Sequence, residues 1–260
     1  MAKKLWTREE MILALNLYQK IEFGKTHKNN PEIIKLANVL GRTPSAVGMR
    51  LGNFASIDPV HRDRGINGLK NSGGNVKSIW DEFFNDKESL IFESEKILTE
   101  KQNLTIEGKY HDQLNDIKNL KGEDKTRLVK TRVNQSIFRQ TILTNYTSKC
   151  ALTGIDIPSL LFASHIIPWS ENKEERLNPE NGICLSALYD KAFDKGLLSF
   201  SNDYQILLSS TLKEKKVTEY YKTYFAPIEN KKLSLPIKHN PSKLFLEYHR
   251  DTIFDKKQNH

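Results

Sequence analysis

The chain of 260 residues and 30.0 kDa is long enough for one large domain or two smaller ones with real cores, and at 38% hydrophobic residues its composition is that of a soluble globular protein. A net charge of +8 and a pI near 9.2 predict an acidic partner, for which nucleic acid is the natural candidate. No apolar run approaches membrane-spanning length and Leu5-Trp6 leads straight into Thr-Arg-Glu-Glu, so the sequence predicts no membrane segment, no leader and a cytoplasmic location.

The first element predicted is a helix over LWTREEMILALNLYQKI, with Thr7 as its N-cap, two glutamates in the first turn and Ile12, Leu15 and Leu17 near helical spacing. From Pro31 to Phe54 the pattern is that of a helix-turn-helix. Ile33, Ile34, Leu36, Ala37 and Leu40 form an apolar face, Gly41 stops the first helix, Thr43 caps the second and Pro44 takes its first position. If this pair grips DNA, the second helix presents Ser45, Met49 and Arg50 to the major groove, with Arg42 near the phosphates; the alternative is a helical hairpin serving as scaffold.

Asp-Pro, Arg-Gly, Asn-Gly and Gly-Gly pairs break up the stretch from Ala55 to Asn75, where His61, Arg62, Arg64 and Lys70 make a basic loop. Such a loop either contacts phosphates or is simply solvated. Ile79, Trp80, Phe83, Phe84, Leu90, Ile91 and Phe92 predict one or two joining helices. Residues 103–125 are charged and weakly patterned, which predicts a linker near Gly108 to Gly122. A helical pattern then resumes, with Val133, Ile137, Ile142 and Leu143 on its apolar side and Arg127, Lys130, Arg132 and Arg139 around it.

The most informative stretch is ASHIIPWSENKEERLNPENGICLSALYDKAFDKG, Ala163 to Gly196. An apolar run from Ser159 to Ile167, closed by His165, predicts a strand; Asn181 opens a second run, Gly182 to Leu185; ALYDKAFDK after Ser186 predicts a helix ending at Gly196. Asp190 and Asp194, four residues apart, share one helix face. Beyond it, LLSFSNDYQILLSS predicts a hairpin with Ser-Asn-Asp at the tip, and VTEYYKTYF a helix. In the last segment Leu244, Phe245, Leu246, Tyr248 and Phe254 are expected to pack back on the core, which makes His249 structural.

The order and intervals of the central motif, 181 − 165 = 16, 190 − 181 = 9 and then four residues to Asp194, resemble the HNH (ββα-metal) endonucleases, and SHIIPW, NG and FDKG are most similar to members that accompany restriction systems. TRVNQSIFRQTILTNY resembles the helix before the core in those members, which would place Arg132 and Arg139 along a DNA channel. The resemblance implies a ββα-metal nuclease domain over residues 126–260 with a C-terminal extension; joined to the helical, helix-turn-helix-like residues 1–85 for recognition and a helical connector at 86–125, the expected fold class is α+β. It implies that His165 is the general base, that Asn181 braces the loop so the histidine points correctly, and that Asp190 and then Asp194 hold one divalent ion, Mg²⁺ or Mn²⁺ by their hard oxygen donors.

The family often carries a metal-binding Asp or His just before the base; here it is Ser164, which leaves either the two aspartates alone or a weak third contact from the hydroxyl. Cys150 resembles a zinc-knuckle position, but with Cys184 as the one other cysteine there is no C-x-x-C pair, and no structural zinc is expected. The expected activity is metal-dependent hydrolysis of double-stranded DNA by a restriction-type enzyme, acting on plain or modified bases, with a homodimer attractive for cutting both strands. The competing expectation is a DNA-binding regulator carrying a relic HNH fold.

Overall fold

The computed structural model describes residues 5–21, 24–59, 74–117 and 119–256, and divides into two compact units, Met1–Val133 and Asn134–His260. The basic loop with His61, Arg62, Arg64 and Lys70 lies outside the described residues.

The first unit is helical. α1 (Arg8–Tyr18) starts at a reciprocal capping box: the Glu10 amide donates to the Thr7 hydroxyl and the Thr7 amide to the Glu10 carboxylate. α2 (Pro31–Leu40) is capped by Asn30 and ends at Gly41, whose φ of 60° is the left-handed conformation that glycine adopts without a Cβ penalty. α3 (Pro44–Ala55) begins at once, capped by the Thr43 hydroxyl on the Ala46 amide. The three helices pack together around Met11, Ile12, Leu15, Ile33, Leu51 and Phe54, and α4 (Gly74–Phe83) and α5 (Lys87–Glu100) extend this core with Val76, Ile79, Phe83 and Leu90. Ile34, counted on the apolar face from sequence, is 39% exposed. The predicted linker is ordered instead: α6 (Ile106–Lys109) and a 3₁₀ turn (Asp112–Ile117) bury Ile106, Tyr110, Leu114 and Ile117, enough apolar surface to hold a charged segment down. α7 (Gly122–Asn145) crosses the division between the units.

The second unit is built on β1 (Leu161–His165) and β2 (Gly182–Ser186), an antiparallel pair in which Ser164 faces Ile183 and His165 faces Gly182. β2 is buried along its whole length, and α8 (Ala187–Asp194) follows it directly from Ser186 and packs on both strands. Phe138 and Ile142 of α7 come so close to Gly182 that a Cβ there would fall inside their van der Waals radii. Gly182→Ala is therefore expected to cost about 1–3 kcal/mol as an overpacked core position, read as a lower thermal midpoint.

β3 (Leu198–Phe200) and β4 (Ile206–Leu208) form the predicted hairpin, followed by the short α9 (Ser210–Lys213), a π-helical turn over Tyr221–Phe225 and α10 (Lys243–Thr252). Within α10 Leu246 is buried, whereas Leu244, expected in the core, is 73% exposed because it lies on the opposite side of the helix. The turn after Cys150 is closed by hydrogen bonds, Cys150 amide to Ile155 carbonyl and Gly154 amide to Cys150 carbonyl, and is tied to β2 through Ala151 and Cys184.

His249 of α10 is buried and stacked on Phe193 with ring centroids 3.9 Å apart. Its Nε2 donates to the Phe193 carbonyl, so Nδ1 accepts from the Ser199 hydroxyl. Burial, aided by the nearby Arg250 charge and opposed by the Phe193 bond, brings its pKa down to about 4. A histidine depressed in the folded state stabilises fully above its unfolded pKa near 6.5 and loses that contribution as pH falls towards 4, about 3 kcal/mol in all. Urea unfolding at pH 7.5 and 4.5 should show most of this loss, and His249→Gln should remove it. An unchanged pH dependence in the variant would contradict the assignment.

Candidate active site

The residues of the central motif sit where β1, the loop after it, β2 and α8 meet. The loop from Ile166 to Asn181 is held by one side chain. The Asn181 amide, almost wholly buried, accepts from the Ile167 amide through Oδ1 (2.8 Å) and donates through Nδ2 to the carbonyls of Ile167 (3.2 Å) and Glu175 (3.1 Å). Three bonds from a fixed strand end pin the chain on both sides of the loop, since the Ile166 amide also donates to the Asn181 carbonyl. Asn172 and Asn178 fold the remainder through Asx-type contacts on the amides of Glu174, Glu175 and Glu180.

His165 ends β1 with its ring between aromatic neighbours. Phe138 stacks on one face, centroids 3.9 Å apart and planes 15° from parallel, and Trp169 meets it edge-on at 5.5 Å. Nε2 lies 2.9 Å from the Arg176 carbonyl oxygen. A carbonyl can only accept, so Nε2 carries the proton and the neutral ring presents the lone pair on Nδ1. The Arg176 side chain folds back over Trp169, its Cζ 5.0 Å from the ring centroid and its Nε donating to the Trp169 carbonyl. Burial lowers the His165 pKa; the Arg176 carbonyl opposes this and the Arg176 charge adds to it. The imidazole is accordingly neutral near neutral pH, the form that can take a proton.

The acidic part of the site is on α8. Ser164, buried beside His165 on β1, donates its hydroxyl to Asp190 Oδ1 at 2.6 Å. Burial raises the Asp190 pKa against the Ser164 bond and the Lys191 charge. Asp194, though exposed at its surface, is also raised, by partial desolvation from its neighbours and then by the Asp190 charge, against the Lys191 and Lys195 charges. Two carboxylates that repel, with a hydroxyl against one of them, are an all-oxygen donor set. It suits a hard divalent cation, which would relieve the repulsion. Among the described residues no three His, Cys, Asp or Glu side chains cluster into a fuller ligand cage, and no hydrogen bond joins His165 to either aspartate.

Compared with known families, residues 150–201 match the HNH endonuclease family. This segment is similar to the HNH endonuclease domain. The match covers the knuckle-like turn at Cys150, both strands, α8 and β3, hence every residue of the His165, Asn181, Asp190 and Asp194 set. No curated protein matches the chain.

The residues expected to touch DNA are placed less uniformly. Ser45 and Met49 are exposed on α3. Arg42, expected at the phosphates, is instead locked in a buried pair, Nε to Glu10 Oε1 at 3.0 Å and Nη2 to Oε2 at 2.7 Å, with both side chains less than a tenth exposed. Its job is to satisfy a glutamate already committed to the α1 cap. Arg50 lies over Trp6. Arg132 pairs with Asp116 at 2.7 Å on the surface. Arg139, expected along the channel, donates to the carbonyls of Leu161 and Pro158 and so closes the turn leading into β1. Arg62 and Arg64 lie outside the described residues.

Around His165, sequence reasoning missed Phe138, Trp169 and Arg176. Trp169 stands inside the SHIIPW motif, and Phe138 four residues before Ile142 lies on the same face of α7, so both left a signal. Arg176 acts through its carbonyl, for which no side-chain pattern exists.

Proposed function

We infer that the protein is a divalent-metal-dependent endonuclease that hydrolyses phosphodiester bonds of double-stranded DNA, of the restriction type, with α2 and α3 gripping the duplex. The observation that carries this reading is the His165 tautomer: Nε2 is held by the Arg176 carbonyl, leaving Nδ1 as a free base in the HNH domain. Nδ1 takes a proton from water, the hydroxide so formed attacks phosphorus in line, and the P–O bond to the leaving oxygen breaks, that oxygen taking a proton from solvent. Asn181 keeps the loop, and with it the Arg176 carbonyl, in place during this step. Asp190 and Asp194 would hold the ion, with Ser164 orienting Asp190. A bound Mg²⁺ or Mn²⁺ supplies positive charge against the phosphate and the leaving oxygen.

Two copies related by a two-fold axis would cut both strands, since one site of this kind cuts one. No described helix is long and apolar enough to cross a membrane, and the reading places the enzyme in the cytoplasm with its DNA. Incubation with plasmid in Mg²⁺, Mn²⁺, Co²⁺ or Ni²⁺ tests the reading: nicking or linearisation is expected. Binding without nicking in every metal would favour the regulator with a relic HNH fold.

A further inference from the structure

Two arginines of the first unit share one tryptophan. The Cζ atoms of Arg42 and Arg50 lie 4.3 and 4.8 Å from the Trp6 ring centroid. The acidic group at this point is Glu10, and it is fully used. Oε1 accepts from Arg42 Nε, and Oε2 accepts from Arg42 Nη2 and from the Thr7 amide. Arg42 also donates to the Leu5 carbonyl.

Arg50 receives nothing comparable. Its Nε is sealed from solvent with no acceptor, and its guanidinium makes no hydrogen bond or ion pair with the described residues. Burial, then the like charge of Arg42, weakens its hold on the proton, with Glu10 pulling the other way. The sealed Nε stays inside the fold, so an incoming anion would meet the two terminal nitrogens, whose charge has no ion-pair partner among the described residues. The ring contact also holds the planar group, so its two terminal nitrogens are preorganised for a bidentate oxyanion.

Arg50 stands at the border of α3 between its buried stripe, Val47, Leu51 and Phe54, and its exposed positions Ser45 and Met49. A side chain at the rim of a groove-facing helix meets the sugar-phosphate backbone before it meets base edges. We propose that Trp6 and Arg50 form a seat for one phosphodiester of the DNA backbone, with Arg42 held by Glu10 as its fixed inner neighbour. This rests on the reading of α2 and α3 as the DNA-gripping helices, and it exchanges the roles expected from sequence. Arg42 belongs to the fold and Arg50 to the backbone, not to the bases.

The test is fluorescence anisotropy of the full chain with several labelled duplexes in EDTA, which stops cleavage, across a range of salt. Arg50→Ala should weaken binding to every duplex by the same factor, roughly tenfold, and make the dependence of log affinity on log salt shallower by about one unit. Arg50→Lys keeps the charge and should restore the salt slope but not the full affinity, since an ammonium neither stacks flat nor binds two oxygens at once. The thermal midpoint of Arg50→Ala should match the parent, whereas Arg42→Ala, which strands Glu10, should melt lower. A changed rank order among duplexes in Arg50→Ala would make Arg50 a base reader and overturn the seat. So would unchanged affinity and slope. A Ser45→Glu, Met49→Glu double variant separates the two readings. If it weakens binding while Arg50→Ala does not, α3 still grips DNA and the seat alone fails; if neither variant matters, the reading of α2 and α3 fails with it.

Discussion

Replacing His165 with alanine is expected to slow DNA cleavage by about 10²–10⁴-fold while leaving DNA affinity nearly unchanged. In the proposed mechanism the imidazole acts on water in the transition state, so its removal should cost rate rather than ground-state binding. The geometry sharpens the expectation. Phe138 covers one face, Trp169 meets the ring edge-on and the Arg176 carbonyl fixes the proton on Nε2, leaving Nδ1 as the working atom. A side chain held by three neighbours loses little entropy when it engages water, which is how a fixed base reaches the upper part of that range. Single-turnover cleavage of a labelled duplex, with anisotropy for binding, gives both quantities. A fall of only a few fold in rate would remove His165 from the role of base.

The sequence carried the positions that chemistry constrains and missed those that packing decides. The strand, loop, strand, helix order was legible because Asn181, Ser186 and Gly196 punctuate it and because the two aspartates fall on one helical face. The first three helices were legible through Thr7, Gly41 and Thr43, residues whose side chains or backbone freedom act within three or four positions of themselves, whereas the Asn30 cap was not read. Arginine was not legible in this way. Arg42, Arg132 and Arg139 all read as free cations, yet each has an acceptor that lies 16 to 32 residues away, at Asp116, Leu161 and Glu10. No local pattern carries such pairings. The segment 103–125 misled for the converse reason: Ile106, Tyr110, Leu114 and Ile117 recur at helical spacing and are buried, but the charged residues between them and the exposed Leu104 and Leu120 mask the pattern.

The second large effect concerns the ion. Asp190→Ala should abolish metal-dependent cleavage and lower Mn²⁺ affinity by about 10-fold or more, whereas Asp194→Ala should weaken activity or shift the preferred metal. The asymmetry follows from how each carboxylate is held. Asp190 stands in the first turn of α8, oriented by the Ser164 hydroxyl at 2.6 Å, so one oxygen is fixed and the other remains for a cation. Asp194 is exposed in the last turn with no hydrogen bond among the described residues, so water can replace it in the shell at smaller cost. Ser164→Ala is a useful third variant. It leaves both carboxylates in place but frees Asp190, so activity should fall less than in Asp190→Ala and recover at higher Mn²⁺. Calorimetric titration of Mn²⁺ into the parent and the three variants, each paired with a nicking assay, reads these effects apart. If the Asp190 variant binds Mn²⁺ as the parent does, the ion is held elsewhere and the carboxylate pair on α8 serves the fold.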